Sequence, residues 1–223
     1  MSTLDEAHRQ IRDFTGGSLR TRVAELETTL QGTDRSRLEP LYKSEAISPS
    51  LLQCALVLKQ AASQVNEVVH ALGILLSLPY ILRNGEVVQA LSLAAGNTGR
   101  PFDLETDLRI AHFKFIDWKG GPESIRQNQL FKDFYSLAEL QTPKERYLYV
   151  VGIEHPEKFF AGGRALRSVM SRNNKLWTEF VKQYGERFAT VRDYYRFRQA
   201  SVKMVDLSKI VPCFPTGLVS DEE

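Results

Sequence analysis

A chain of 223 residues is enough for one large domain or one domain with an appendage, and 43% hydrophobic with 25% charged residues predicts a packed core rather than disorder. A formal net charge of +2 leaves the partner open, but between residues 164 and 203 ten Lys or Arg face three acids, so basic character is concentrated near the C-terminus. Cys54 and Cys213 lie far apart in no metal-ligand spacing, the start Met1 to Arg9 is polar, and the longest nearly apolar run, Ala71 to Leu82, is too short to span a bilayer; these argue against a disulfide framework, a zinc knuckle, a signal peptide and a membrane, and make the reducing cytoplasm the expected compartment.

In chain order, apolar residues at helical spacing predict a short helix over 3–15, stopped by Gly16-Gly17, and a second from Ser18, with Leu19, Val23, Leu26 and Leu30 on one side. A third short helix covers 36–43. The Ser48-Pro49-Ser50 start can be capped by either serine. The long helix it opens should run to Leu78, before Pro79; between Gln60 and Leu82 it carries one charged residue, Glu67, so burial is expected for most of it. After the Asn84-Gly85 turn, residues 86–94 alternate as a strand, and Gly96 to Gly99 form a loop. Residues 102–105 and 108–118 form two strands about a Thr106-Asp107 turn. Lys119 to Pro122 end them. Residues 122–140 are helical, 146–153 form a strand covered on both faces, two or three helices fill 163–198, and 202–211 can add a last strand. The order predicts an α/β protein with a mixed central sheet flanked by helices.

The chemistry lies in the paired strands. A phosphodiesterase needs carboxylates to hold a divalent cation and a positive group to steady the attacking water or the developing charge. His112-Phe113-Lys114 puts His112 and Lys114 on one face of a strand. With a Thr106-Asp107 turn, Asp103 faces Ile110 and Pro101 faces His112, so Asp103 shares that face by parity.

The segment Phe102-Asp-Leu-Glu-Thr-Asp-Leu-Arg-Ile-Ala-His-Phe-Lys114 resembles the second and third core strands of the PD-(D/E)XK nuclease superfamily. The helix with Arg126-Gln127 and the strand Tyr147 to Val151 resemble the next helix and strand of that family, and the likeness covers roughly residues 50–155. It implies a restriction-endonuclease-like fold with added N- and C-terminal helices, divided as an arm over 1–47, a core over 48–160 and an extension over 161–223. It also implies Mg²⁺- or Mn²⁺-dependent hydrolysis of phosphodiesters, in DNA rather than RNA. Asp103, His112 and Lys114 match the family's strand motif. Glu67 matches an acid on the first helix, and Gln127 matches a glutamine often found on the second, with Phe131 where a tyrosine often stands. The implied metal ligands are Asp103, His112 and Glu67. His112 stands where the family has Glu, Asp or sometimes Gln. Imidazole suits Mg²⁺ poorly and later transition metals well.

In the basic C-terminal segment, Arg192, Arg196 and Arg198 interleave with Tyr194, Tyr195 and Phe197, a pattern suited to phosphate neutralisation and base stacking. Two further readings stay open. One is a non-cleaving nucleic-acid-binding or regulatory protein on the same fold. The other is an interaction protein that forms homo-oligomers through its N-terminal amphipathic helices.

Overall fold

In a computed structural model, the described residues are 3–31, 33, 35–94, 101–115, 118, 123–171 and 173–214. The expected Gly96–Gly99 loop, the Lys119–Pro122 stop and Arg172 lie outside them. The chain divides into two compact units, Met1–Asn66 and Glu67–Glu223.

The first unit holds α1 (Leu4–Thr15), α2 (Leu19–Leu30), α3 (Arg35–Ser44) and the start of α4 (Pro49–Ile81). Short polar side chains start α1, α2 and α4. Thr3 accepts from the Glu6 N–H, Ser18 from the Thr21 N–H, and Ser48 from the Leu51 N–H at 3.2 Å, which puts Pro49 at the first helical position. An Arg22–Glu45 ion pair at 2.7 Å joins α2 to the end of α3, and the Cys54 thiol meets Gln10 at 3.2 Å.

The second unit holds the rest of α4, then β1 (Val88–Leu91), β2 (Leu104–Thr106), β3 (Arg109–Lys114), α5 (Ser124–Glu139), β4 (Glu145–Val150), α6 (Glu154–Phe160), α7 (Leu166–Met170), α8 (Asn174–Tyr184), α9 (Val191–Arg198) and β5 (Lys203–Asp206). The five strands form one mixed open sheet in the order β1-β2-β3-β4-β5. The first three pair antiparallel, and β3, β4 and β5 run parallel. A parallel pair cannot be joined by a tight turn, so α5 carries the chain from β3 to β4 and α6–α9 carry it from β4 to β5.

Period-two alternation splits the core by face. Ile110, Leu148 and Val150 pack with Leu130, Phe131 and Phe134 of α5 and with the C-terminal helices. Ala111, Phe113, Tyr147 and Tyr149 pack with Ile74 and Ile81 of α4 and with Leu207 and Val211. The C-terminal helices thus share one core with α5.

The turn between β2 and β3 differs from expectation. Glu105 pairs with Ile110 and Leu104 with Ala111, so Asp107 and Leu108 form the turn. The cause is Thr106, whose hydroxyl oxygen accepts from the N–H groups of Leu108 (3.1 Å) and Arg109 (2.8 Å) and fixes the bend one residue later. Pairing shifts by two residues, so Leu104 and Glu105 keep their expected faces.

The long helix also departs twice from expectation. It continues through Pro79 to Ile81, whose side chain is buried. It is also far from buried: Leu72 is 51% exposed, Leu76 50% and Tyr80 54%. Its inner side, through Gly73, Ile74, Ser77 and Ile81, faces the sheet, while its outer side is apolar and open. Apolar residues on both sides predict burial of most of it, but one layer of sheet covers only one side. Among the described residues α4 is the one helix long and apolar enough, by length and composition, to cross a membrane.

Candidate functional site

Asp103 precedes β2, and its side chain meets His112 of β3. Its backbone is fixed on both sides: its N–H donates to the Ala111 carbonyl at 3.1 Å, and its carbonyl accepts from Ser92 at 2.8 Å. The side chain turns onto β3. Oδ2 accepts from the Phe113 N–H at 2.8 Å and lies 3.2 Å from His112 Nδ1. On the far side of the imidazole, Nε2 lies 3.3 Å from the Ser136 hydroxyl of α5, whose proton goes to the Asp133 carbonyl at 2.9 Å. Lys114, two residues along the same face, makes an ion pair with Asp133. Asp133 and Ser136 are one turn apart on α5, so a single helix face receives both strand residues.

A second histidine approaches Asp103 from α4. His70 Nε2 lies 3.7 Å from Asp103 Oδ1, beyond hydrogen-bonding distance, and is buried without a hydrogen-bond partner. Gly73 brings the helix this close to the sheet: a Cβ there would sit 2.7 Å from the Phe115 ring. His70 also meets Phe115 edge-on, with centroids 5.9 Å apart.

Burial alone would raise the Asp103 pKa. The His112 and His70 side chains and the Phe113 N–H outweigh it and hold the carboxyl well below its ordinary range. A depressed carboxylate stabilises the fold above its unfolded pKa, near 3.8, and that contribution is lost as pH falls toward the folded value. Asp103→Asn should therefore lower stability at neutral pH and flatten its acid dependence below about pH 5, read from urea midpoints across pH. An unchanged profile would assign the acid dependence to other carboxylates.

The metal set expected from the sequence is not assembled. Glu67 lies on the same side of α4 as His70 but one turn earlier, roughly 4.5 Å along the axis, and is exposed. His70 takes the place expected of Glu67. Among the described residues no group of three or more His, Cys, Asp or Glu side chains is arranged to hold a metal ion. One carboxylate with two imidazoles is a poor donor set for Mg²⁺ or Mn²⁺, which favour oxygen ligands. The residues present do not fit that ion.

Gln127 lies elsewhere. It is half-buried near the start of α5, and its amide oxygen accepts from Arg164. Arg192 and Arg196 are exposed one turn apart on α9. Arg198 does not join them. Its Nε and Nη2 donate to the two Glu139 oxygens at 2.9 and 3.0 Å, and Nη2 also donates to the Tyr184 hydroxyl at 2.7 Å. Tyr194 donates to the same carboxylate at 2.6 Å, so Arg198 is a cross-link between α9 and α5. The i, i+2 spacing from Arg196 could not show this, because Glu139 is contributed by a distant helix.

Sequence reasoning passed over His70, Asp133 and Ser136 as site members. His70 is a lone imidazole on a mostly apolar helix, in no spacing that marks it. Asp133 and Ser136 flank the apolar stripe of α5 with no pattern to mark them.

The site lies toward the C-terminal end of the parallel strands, where open α/β sheets bind ligands: Lys114 pairs with Val150, the last residue of β4. No protein-family model, no curated protein and no solved structure matches the chain.

Proposed function

We propose that this chain is a PD-(D/E)XK-type nuclease core that engages DNA, with a hydrolytic centre weakened by His112. The observation that carries the reading is the contact of Asp103 with His112, which shares a face of β3 with Lys114 against α5. The element order α4-β1-β2-β3-α5-β4 supports it, as does the covering of opposite faces of the sheet by α4 and α5. Cys54 and Cys213 are thiols rather than a disulfide, which accords with residence in the cytoplasm.

The second reading, binding without cleavage, is favoured by one detail. Asp103 Oδ2 is already engaged by His112 and by the Phe113 N–H, and Lys114 is held by Asp133. In the wild-type chain these contacts work against Mg²⁺-dependent hydrolysis and leave DNA engagement intact.

Binding tests what the two readings share. The chain should bind duplex DNA with an affinity that falls steeply with salt. Each phosphate contact contributes about 0.9 to the log–log slope. Replacing Arg192 and Arg196 by Ala should reduce that slope by about 1–2, measured by fluorescence anisotropy from low to physiological salt. Arg198 is left in place because its loss would break the Glu139 cross-link. Absence of salt-dependent binding, or an unaltered slope in the double variant, would overturn the DNA assignment.

A further inference from the structure

A cleft of about 340 Å³ opens between the start of α5 and α6, away from Asp103. That volume lies in the size range of small-ligand pockets, roughly 300–1,000 Å³. Its walls carry Trp118, Gln127, His155, Lys158 and Arg164, with Gly162-Gly163 on the loop between α6 and α7. Among the described residues that line it none is Asp or Glu, although α6 also bears Glu154 and Glu157.

Arg164 is the unusual member. It is half-buried, and its guanidinium donates to a neutral amide oxygen, that of Gln127. Burial pushes its pKa down, and among the described residues no carboxylate offsets that cost. The loop around it is pinned. The Arg164 carbonyl accepts from the Val191 N–H at 2.9 Å, and Leu166 donates to the Ala189 carbonyl at 3.0 Å. A side chain at Gly162 would press on the Phe159 carbonyl at 3.1 Å, so a glycine there lets the chain turn tightly off α6 and bring Arg164 to Gln127. A fixed arginine, an exposed lysine and a stack of Trp118 on His155, with centroids 6.1 Å apart and planes 22° apart, therefore share one opening.

We infer that this cleft binds a nucleoside 5′-monophosphate group, free or at the end of a strand, with Arg164 and Lys158 on the phosphate and the Trp118–His155 stack beside the base. A guanidinium whose partner among the described residues is a neutral amide suits a phosphate, whose oxygens its planar fork can match bidentately. An indole face provides a stacking surface for any base. Nucleotide capture here is independent of cleavage at Asp103, because it involves another set of residues and is read by binding alone.

The chain has two tryptophans, so Trp177→Phe leaves Trp118 as the single reporter. In that background, deoxyadenosine 5′-monophosphate should quench the fluorescence saturably. Deoxyadenosine should bind at least tenfold more weakly, and inorganic phosphate should compete with the nucleotide. Arg164→Ala should weaken nucleotide binding tenfold or more, and Lys158→Ala severalfold. Lys158 is exposed, so its variant keeps the test sound should Arg164→Ala fail to fold. A 5′-phosphorylated single strand that binds more tightly than the mononucleotide supports the strand end as source; equal or weaker binding supports the free nucleotide. No saturable response, deoxyadenosine binding as tightly as the nucleotide, or no effect of Lys158→Ala would overturn the assignment.

Discussion

Arg109→Leu should lower the stability of the second unit by about 3–5 kcal/mol. Arg109 begins β3 and Glu86 precedes β1, and their side chains are 4% and 0% exposed. The guanidinium donates to both Glu86 oxygens at 2.5 Å and to the Tyr149 hydroxyl at 2.8 Å. Thr106 donates to Glu86 at 2.6 Å. Its own burial would raise the Glu86 pKa, but Arg109, the Arg83 N–H and Thr106 hold it lowered, so the carboxylate is charged in the fold. Removing the arginine strands that charge in the core. The resulting fall in midpoint temperature is about 10 °C for a chain of this size, read by thermal denaturation. Glu86→Gln with Arg109→Met in one chain should lose less than the sum of the two single losses, because neither charge is then left alone. A loss below about 1 kcal/mol for Arg109→Leu would mean that water reaches the pair.

His112→Glu should raise Mg²⁺ affinity and Mg²⁺-dependent plasmid nicking above wild type, by at least tenfold for nicking if the carboxylate completes an oxygen-ligand site. The side chain at position 112 meets the Asp103 carboxylate, so a new carboxylate there lies beside an ionised Asp103. Two adjacent carboxylates repel, and a bound divalent cation relieves that repulsion. His112 instead bridges Asp103 and Ser136 through its two ring nitrogens and satisfies Asp103 without an ion. The substitution has a recognisable cost: without a cation the variant should be less stable than wild type, and Mg²⁺ should restore the loss. Lys114→Ala in the same background should remove nicking while calorimetric Mg²⁺ binding persists. A folded His112→Glu protein with neither added affinity nor nicking would assign position 112 to structure and remove the main support for the nuclease reading.

Much of the fold was legible where a single physical signal dominated. The apolar stripe of residues 122–140 became α5 over Ser124–Glu139, and the unbroken β-formers of 146–153 became β4 over Glu145–Val150. The turn falls one residue later than expected and the pairing moves by two, so Leu104 and Glu105 keep their expected faces. At Asp103 the register shifts again, its N–H donating to the Ala111 carbonyl, and its carboxylate meets His112 through the side chain. What stayed hidden depends on distance in space. His70 reaches Asp103 because Gly73 lets α4 approach Phe115, and Arg198 turns to Glu139 because α9 lies against α5. The outer side of α4 misled for a related reason, since hydrophobicity along a helix does not say how many neighbours will cover it.

The sheet is also assembled unevenly in time. Strands β1 to β3 are joined by local connections, whereas residues 151–202 separate β4 from its parallel neighbour β5. Local pairings close cheaply, and distant ones cost more chain entropy and form more slowly. During synthesis the outer edge of β4, Tyr147 to Val150, therefore waits without a partner until Lys203–Asp206 has emerged. Asp206 then also accepts from the Gly152 N–H at 3.0 Å and secures the exit of β4. A chain interrupted before Lys203 would present that edge to other chains, so premature termination there makes an aggregating fragment rather than a smaller working protein.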